Sequence, residues 1–313
     1  MGHAVKSEFL ISIVVVTYNC SDVIDQNLKS CIQESGIELI IIDNDSKDET
    51  LEIIEPYLVE NVKLIKNTKN TGFTFACNQG IKVAKGKYVM LLNPDAYLQT
   101  GTISLLANYL EQNSNVGIVA PCLYFPNGRF QNYTRTFPTV GGLCVESFIP
   151  RRYWNRFKSY RKYTCQDVDF TKIQEVEQPS GAALMFRNQW LLDDVYFIYG
   201  SDVDFCKSVI ETGLSIIQIP YAKVIHHQSK GGTESEKLKM YLSLDNYYGM
   251  NYYFKKHNQP FTAFIYRILF TILLFARVLL AIFERKNNLS MRWLKFIYFL
   301  QNKNFRAYLE TIQ

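Results

Sequence analysis

From Tyr88 to Ala96 the chain reads Tyr-Val-Met-Leu-Leu-Asn-Pro-Asp-Ala, an apolar run of strand length that stops abruptly in a polar turn. The same figure occurs at 11–19, where Ile-Ser-Ile-Val-Val-Val leads into Thr17-Tyr18-Asn19. It occurs again where Ile37 to Ile42 gives way to Asp43-Asn44-Asp45-Ser46. Continuous apolar strands are buried on both faces, so helices must cover the sheet above and below. Segments with helical spacing stand between the runs, at 22–33, 48–58, 74–84 and 101–112, with further strands at 62–65 and 116–119. This alternation predicts an α/β fold on a mostly parallel, Rossmann-like sheet with helices on both faces.

In such a sheet ligands are met outside the carboxyl ends of the strands. Thr17-Tyr18-Asn19, Asp43-Asn44 and Asn93-Pro94-Asp95 collect at that edge. The hard carboxylate of Asp95 can hold a divalent cation, and the cation a diphosphate. Asn, Pro and Asp equally suit an ordinary surface turn. No Walker loop and no GxGxxG follows the first strand, so ATPase and dinucleotide readings lack their phosphate cradle.

Beyond residue 120 the pattern loosens. Pro126-Asn127-Gly128 reads as a hairpin turn. Residues 151–163 alternate basic and aromatic side chains, and 173–185 and 215–225 predict strands with a helix near 203–212 between them. Residues 261–283 are almost wholly apolar and of roughly membrane-spanning length. Arg267 and Arg277 interrupt them, and Arg285 falls on the same helical face as Arg267. One basic stripe on an apolar, aromatic helix suits a segment lying in a membrane interface. A full span is costly with central arginines, and a buried core helix is the remaining alternative. Residues 291–300 again mix Trp, Tyr and Phe with Arg and Lys, as interfacial segments do.

The formal net charge of +5 is unevenly spread, +8 from Lys255 onward against −3 before it. Seven scattered cysteines without CxxC or metal-like spacing predict reduced thiols in a cytoplasmic compartment. Met1–Glu8 is short and polar, so no secretory leader is expected. The expected division is 1–235, with halves at 1–120 and 121–235, followed by a helical, membrane-associating region at 236–313.

The motifs TYN at 17–19, IIDNDSKDET at 41–50, NTGFTFACNQG at 70–80, LLNPD at 91–95, SGAALM at 180–185, GSDVDFC at 200–206 and VIHH at 224–227 occur in an order that resembles glycosyltransferase family 2. The likeness is greatest to its bacterial rhamnosyltransferase-like and galactofuranosyltransferase-like members, and covers roughly 11–230. The resemblance implies the GT-A fold, a nucleotide-binding α/β sheet joined to an acceptor-binding half. It also implies inverting transfer of a sugar from a nucleoside diphosphate, usually with Mg²⁺ or Mn²⁺.

On that resemblance Thr17, Tyr18 and Asn19 line a nucleoside pocket, and Asp43 accepts the ring N–H of uracil or thymine. Asn70, Gly72 and Asn78 lie beside the donor sugar, although Gly72 also fits a simple turn. Asp95 matches the last, metal-binding carboxylate of the DxD motif, with Asn93 in place of the first. His226 is the further metal ligand, with His227 beside it as an alternative, and an imidazole suits Mn²⁺ better than Mg²⁺. Asp202 matches the catalytic base, which takes the proton of the acceptor hydroxyl, and Ser201 stands where the family usually has Glu. Gly181 and Asp204 are the acceptor-side residues. Ser46-Lys47-Asp48-Glu49 and Ser201-x-x-Asp204 both fit capping boxes, so Ser46 reads as structural and Asp204 as structural or an acceptor contact.

The implied partners are a dTDP-rhamnose or UDP-sugar donor, a lipid-linked saccharide acceptor of a surface polysaccharide, and the anionic cytoplasmic face of a membrane. A nucleotidyltransferase wants a glycine-rich loop where this chain has TYNCSD. A non-catalytic membrane-associated nucleotide-sugar-binding protein with the same fold is the other alternative. Nucleic-acid binding is not expected, because the basic region is apolar rather than a solvated phosphate-tracking groove.

Overall fold

The computed structural model describes residues 10–227, 236–283 and 289–301. In chain order the strands are β1 (Ile11–Thr17), β2 (Ile37–Asp43), β3 (Val62–Lys66), β4 (Tyr88–Leu92), β5 (Ala96–Leu98), β6 (Val116–Tyr124), β7 (Phe130–Gln131), β8 (Gln174–Glu175), β9 (Ala183–Arg187) and β10 (Ser215–His226). The helices are α1 (Ser21–Ile32), α2 (Thr50–Ile54), α3 (Phe73–Val83), α4 (Thr102–Gln112), α5 (Val140–Phe148), α6 (Lys158–Tyr163), α7 (Ser201–Glu211), α8 (Glu236–Lys256), α9 (Pro260–Phe283) and α10 (Leu289–Leu300). Arg285 and Met1–Glu8 lie outside the described residues.

The strands form one sheet in the order β3-β2-β1-β4-β9-β6-β10-β5. Its first four strands are parallel, as the alternation predicts. Beyond them the sheet is mixed: β9 runs antiparallel to both β4 and β6, and β5 antiparallel to β10. The segment before β9 wanders through short helices, so the chain re-enters the sheet without the crossover helix that parallel pairing demands.

Strand alternation divides the core into two layers. Ile13 and Val15 of β1 join residues of α1 and α4 on one face, while Val14 and Val16 join α3 and α7 on the other. All seven residues of β1 are buried, and each aliphatic side chain so buried contributes about 1.5–3 kcal/mol. Helix α3 lies so close to β1 that a Cβ on Gly80 would sit 2.4 Å from Val14 Cγ1.

A third core joins the C-terminal helices to this body. Val203 of α7 and Leu143 of α5 pack with Leu244, Tyr247 and Phe254 of α8, Ala263 and Tyr266 of α9, and Phe299 of α10. Helix α9 thus has one buried side. Its other side presents Phe261, Phe264, Ile268, Ile272, Phe275, Leu279 and Ile282, all exposed. These positions recur every three or four residues, so they form one continuous apolar stripe. Among the described residues, Pro260–Leu280 is the one helix long and apolar enough to cross a membrane, with mean hydropathy 2.1.

Candidate functional site

Strands β1 and β2 pair in register from Ile11 with Ile37 to Thr17 with Asp43, so their carboxyl ends finish side by side. Thr17 Oγ1 donates to Asp43 Oδ1 at 2.9 Å, Ser46 Oγ donates to the same oxygen at 2.6 Å, and Ser46 N–H donates to Oδ2 at 3.0 Å. Asn19, in the left-handed region at φ 48°, accepts from Lys47 N–H at 2.7 Å and donates its own N–H to Ser46 Oγ at 3.0 Å. The two strand-end loops are therefore laced together around a carboxylate only 1% exposed. Thr17, Asn19 and Asp43 brace the wall of the site here, and Asp43 offers a nucleobase no open edge unless Ser46 moves away.

Ser46 does not open a capping box. Helix α2 begins later, at Thr50, and Asp48 serves its first turn by accepting from Thr50 N–H at 3.1 Å. The second expected box is also absent, since α7 starts after Gly200 without a side-chain cap and Ser201 Oγ donates to Ile198 O at 3.1 Å.

Between the braced loops and the 93–95 turn lies a cleft of about 290 Å³. Tyr18, Asn70, Asn93 and Asp95 line it, together with Asn44, which the sequence places at the same strand edge, and with Phe73 and Ile198, which no motif singled out. Tyr18 is 45% exposed, so its ring is available to a flat ligand. Asn70 Oδ1 accepts from Asn44 Nδ2 at 2.8 Å and from Gly72 N–H at 3.0 Å, which fixes the rim. Cys20 also lines the cleft. Burial pushes its thiol up to about 12, so it stays protonated and unreactive.

The strongest geometric feature is at the end of β10. Its antiparallel pairing with β5 sets His226 opposite Ala96, directly beside Asp95. His226 Nε2 stands 3.4 Å from Asp95 Oδ1, while the ring of His227 turns instead to Tyr97, 5.7 Å between centroids. Gln131, on the return strand of the Pro126-Asn127-Gly128 hairpin, donates Nε2–H to His226 O at 2.9 Å. That contact turns Gln131 Oε1 toward His226 Nδ1, 2.8 Å away. An amide oxygen can only accept, so Nδ1 carries a proton, and Nε2 is the ring atom left to offer a lone pair toward Asp95. Two acceptor atoms facing each other across 3.4 Å are suited to a shared cation. Among the described residues, no group of three His, Cys, Asp or Glu side chains converges to hold a metal, so water and substrate oxygens would complete the shell.

The other expected positions are distributed differently. Gly72 caps α3 at φ 89°, and a Cβ there would lie 2.7 Å from the Phe197 ring, so both backbone and packing require glycine. Asn78 is 2% exposed. It spends its amide on Leu192 and Asp194, donating at 2.8 and 2.5 Å and accepting from Leu192 N–H at 2.9 Å. It anchors the 190s loop rather than facing the cleft.

Gly181 abuts Asp202, where a Cβ would come within 3.0 Å of Asp202 Cβ and 3.3 Å of Oδ2. Its neighbour Ala182 accepts from Asn93 N–H at 2.9 Å. One short piece of chain thus ties the Asp95 turn to Asp202. Asp202 is not among the residues lining the cleft. Burial pushes its carboxyl above the ordinary range, outweighing the Val203 N–H and other donors that favour the anion.

Asp204 is 2% exposed and committed elsewhere. It accepts from Tyr196 Oη at 3.1 Å and from Lys256 Nζ at 2.8 Å, and faces His257 Nε2 at 3.0 Å. It is a clamp between α7 and the end of α8, with no edge left for an acceptor in this arrangement.

The profile of glycosyl transferase family 2 matches residues 12–179, and the chain belongs to this family. A β-1,3-glucosyltransferase of Escherichia coli that acts on UDP-Glc and α-D-GlcNAc-diphosphoundecaprenol is 36% identical over 104 residues, spanning 33% of this chain and 41% of that protein. The N-acetylglucosaminyl-diphospho-decaprenol L-rhamnosyltransferase of Mycobacterium tuberculosis is 25% identical over 247 residues, 70% of this chain and 76% of that one. Among solved structures, a mannosyltransferase from Pyrobaculum calidifontis in complex with GDP-Man and Mn²⁺ superimposes with TM-score 0.54 at 15% identity, over 94% of this chain and 88% of that one. TarS of S. aureus gives TM-score 0.53 at 17% identity, over 95% and 50% of the respective chains. These likenesses establish the GT-A-type fold.

Proposed function

We propose that the protein is an inverting glycosyltransferase that moves a sugar from a nucleoside-diphosphate donor, dTDP-rhamnose or a UDP-sugar, to a lipid-linked saccharide in surface polysaccharide synthesis. The observation that carries this reading is that Asp95, which lines the cleft together with the exposed Tyr18, is paired with His226 at 3.4 Å. Asp95 and His226 would hold Mn²⁺ or Mg²⁺, and the bound ion would neutralise charge on the departing diphosphate. Tyr18 packs on the base, and Asn70 and Asn93 meet the donor.

Asp202 takes the proton from the acceptor hydroxyl. The hydroxyl oxygen then bonds to the anomeric carbon from the face opposite the leaving oxygen, and the anomeric bond to the diphosphate breaks. Burial raises the affinity of Asp202 for a proton above that of an ordinary carboxylate, which suits a group that must accept one. The exposed apolar stripe of α9 and the basic-aromatic stretch at 151–156, where Arg152 and Arg156 lie 4.8 and 5.0 Å from the Tyr153 ring, suit a peripheral or monotopic position on the cytoplasmic membrane face.

The test is calorimetric titration with UDP and with dTDP, each with and without Mn²⁺, followed by transfer from the matching sugar nucleotide. Metal-dependent binding of one nucleotide is the expected result and identifies the donor class. Binding without transfer to any lipid-linked acceptor would favour the non-catalytic alternative, and no binding would sink both.

A further inference from the structure

A second cavity, of about 250 Å³, lies between residues 195–199 and helices α8 and α9. It is separate from the donor cleft: Ile198 faces the cleft, whereas its neighbours Phe197 and Tyr199 line the cavity. Lys255 and Arg267 both line it. One carboxylate, Asp245, lines it as well and accepts from the Ile198 and Tyr199 N–H groups at 3.3 and 3.1 Å, which shapes the wall. Tyr247 lines the cavity and is 2% exposed, yet its hydroxyl is buried with no hydrogen-bond partner. Stacking on Phe270 at 4.3 Å holds its ring rigidly. A buried hydroxyl without a partner costs about 1–3 kcal/mol, a cost that an oxygen-rich ligand would remove.

Arg267 belongs to α9, and the exposed apolar stripe through Phe264, Ile268 and Ile272 runs beside it on the same helix. Arg267 and Ile268 are consecutive, about 100° apart around the helix. Cations in an aromatic cavity, continuous with an exposed apolar track, match a molecule with a doubly charged head and a long hydrocarbon tail.

We propose that this cavity holds the diphosphate of a polyprenyl-linked acceptor, with the prenyl chain leaving along α9. The proposal deepens the transferase reading and rests on it for the role of the ligand. The segment that forms the cavity wall continues, three residues beyond Tyr199, into Asp202 at the start of α7. Lys255 and Arg267 supply charge-assisted donors, and Tyr247 donates one hydrogen bond.

The test is flotation of the full chain with phosphatidylcholine vesicles carrying undecaprenyl diphosphate, compared with vesicles carrying phosphatidylglycerol at equal charge. The wild type should float at about tenfold lower concentration of the diphosphate lipid, a difference of about 1.4 kcal/mol. Lys255→Gln/Arg267→Gln should lose that preference, and Tyr247→Phe, which removes a single oxygen, should reduce it a few-fold. Equal flotation on both vesicles, or a preference that survives in the charge variant, would overturn the proposal. Nucleotide titration of each variant separates the outcomes. A misfolded variant loses nucleotide binding too, in which case Tyr247→Phe decides. A wild type that prefers the diphosphate lipid but binds no nucleotide would defeat the transferase reading and leave the site standing.

Discussion

Gln131 grips His226 twice, donating to its backbone oxygen at 2.9 Å and accepting from ring Nδ1 at 2.8 Å. The double contact removes any ambiguity in the amide and so selects the tautomer with Nε2 facing Asp95. Gln131→Leu should leave the fold intact but free the ring to rotate and to exchange tautomers. Mn²⁺ affinity, read from the free-ion signal in electron paramagnetic resonance with the preferred nucleotide present, should fall about 10- to 100-fold. An unchanged titration would deny Gln131 this positioning role.

Nothing in the sequence pointed to Gln131. It becomes significant only because the hairpin after β6 folds back beside the end of β10, a contact across 95 positions. The parallel half of the sheet, by contrast, was legible, because β1, β2 and β4 are continuous apolar runs ending in polar residues. The same runs say less about their ends. Thr17 and Asp43 stand at the ligand edge as expected, but parallel register makes them each other's partners before any ligand arrives. The contacts of Asn78 and Asp204 were not legible either: they run to Leu192 and Lys256, which no local pattern connects to them. The antiparallel entry of β9 was equally invisible, since a buried strand reads the same in either direction.

Asp202 yields two linked expectations. Asp202→Asn should lower turnover by about 10²- to 10⁴-fold while leaving nucleotide binding unaltered. In the wild type, activity should rise with pH through a value above the ordinary carboxylate range, because the base works only when deprotonated. The stability sign is opposite. A folded state that binds this proton more tightly than the unfolded chain loses stability as pH rises past the unfolded value and on through the raised one. Asp202→Asn should therefore be the more thermostable protein at neutral pH, and their melting curves should converge in acid. Wild-type turnover in the variant would refute the assignment of the base.

Asp204 should behave as a structural residue. Its carboxylate joins α7 to α8 through Lys256, His257 and Tyr196. Breaking a buried ion pair by removing one partner costs about 3–5 kcal/mol. Asp204→Ala should show a loss of this size in urea unfolding, with nucleotide affinity per folded molecule unchanged. A stable variant that had lost only transfer would instead return Asp204 to the acceptor side of the site.

The membrane reading is best tested by substitution on α9, because truncation from Lys255 onward would strip Lys256 and His257 from Asp204 and unsettle the core. Phe264 is 61% exposed and Phe275 48% exposed, both on the apolar stripe. Neither supports the buried side of the helix, which rests on residues such as Ala263, Leu274 and Val278. Burying a phenylalanine in an apolar phase is worth about 1.5–3 kcal/mol, so Phe264→Ser/Phe275→Ser should weaken vesicle binding by at least tenfold. Thermal stability should fall only modestly, since Phe264 faces outward and Phe275, half exposed, gives up one ring contact with Phe296 at 6.0 Å. If the double variant sediments with lipid as the wild type does, the stripe is not the membrane contact, and the basic-aromatic stretch at 151–156 becomes the surface to mutate next.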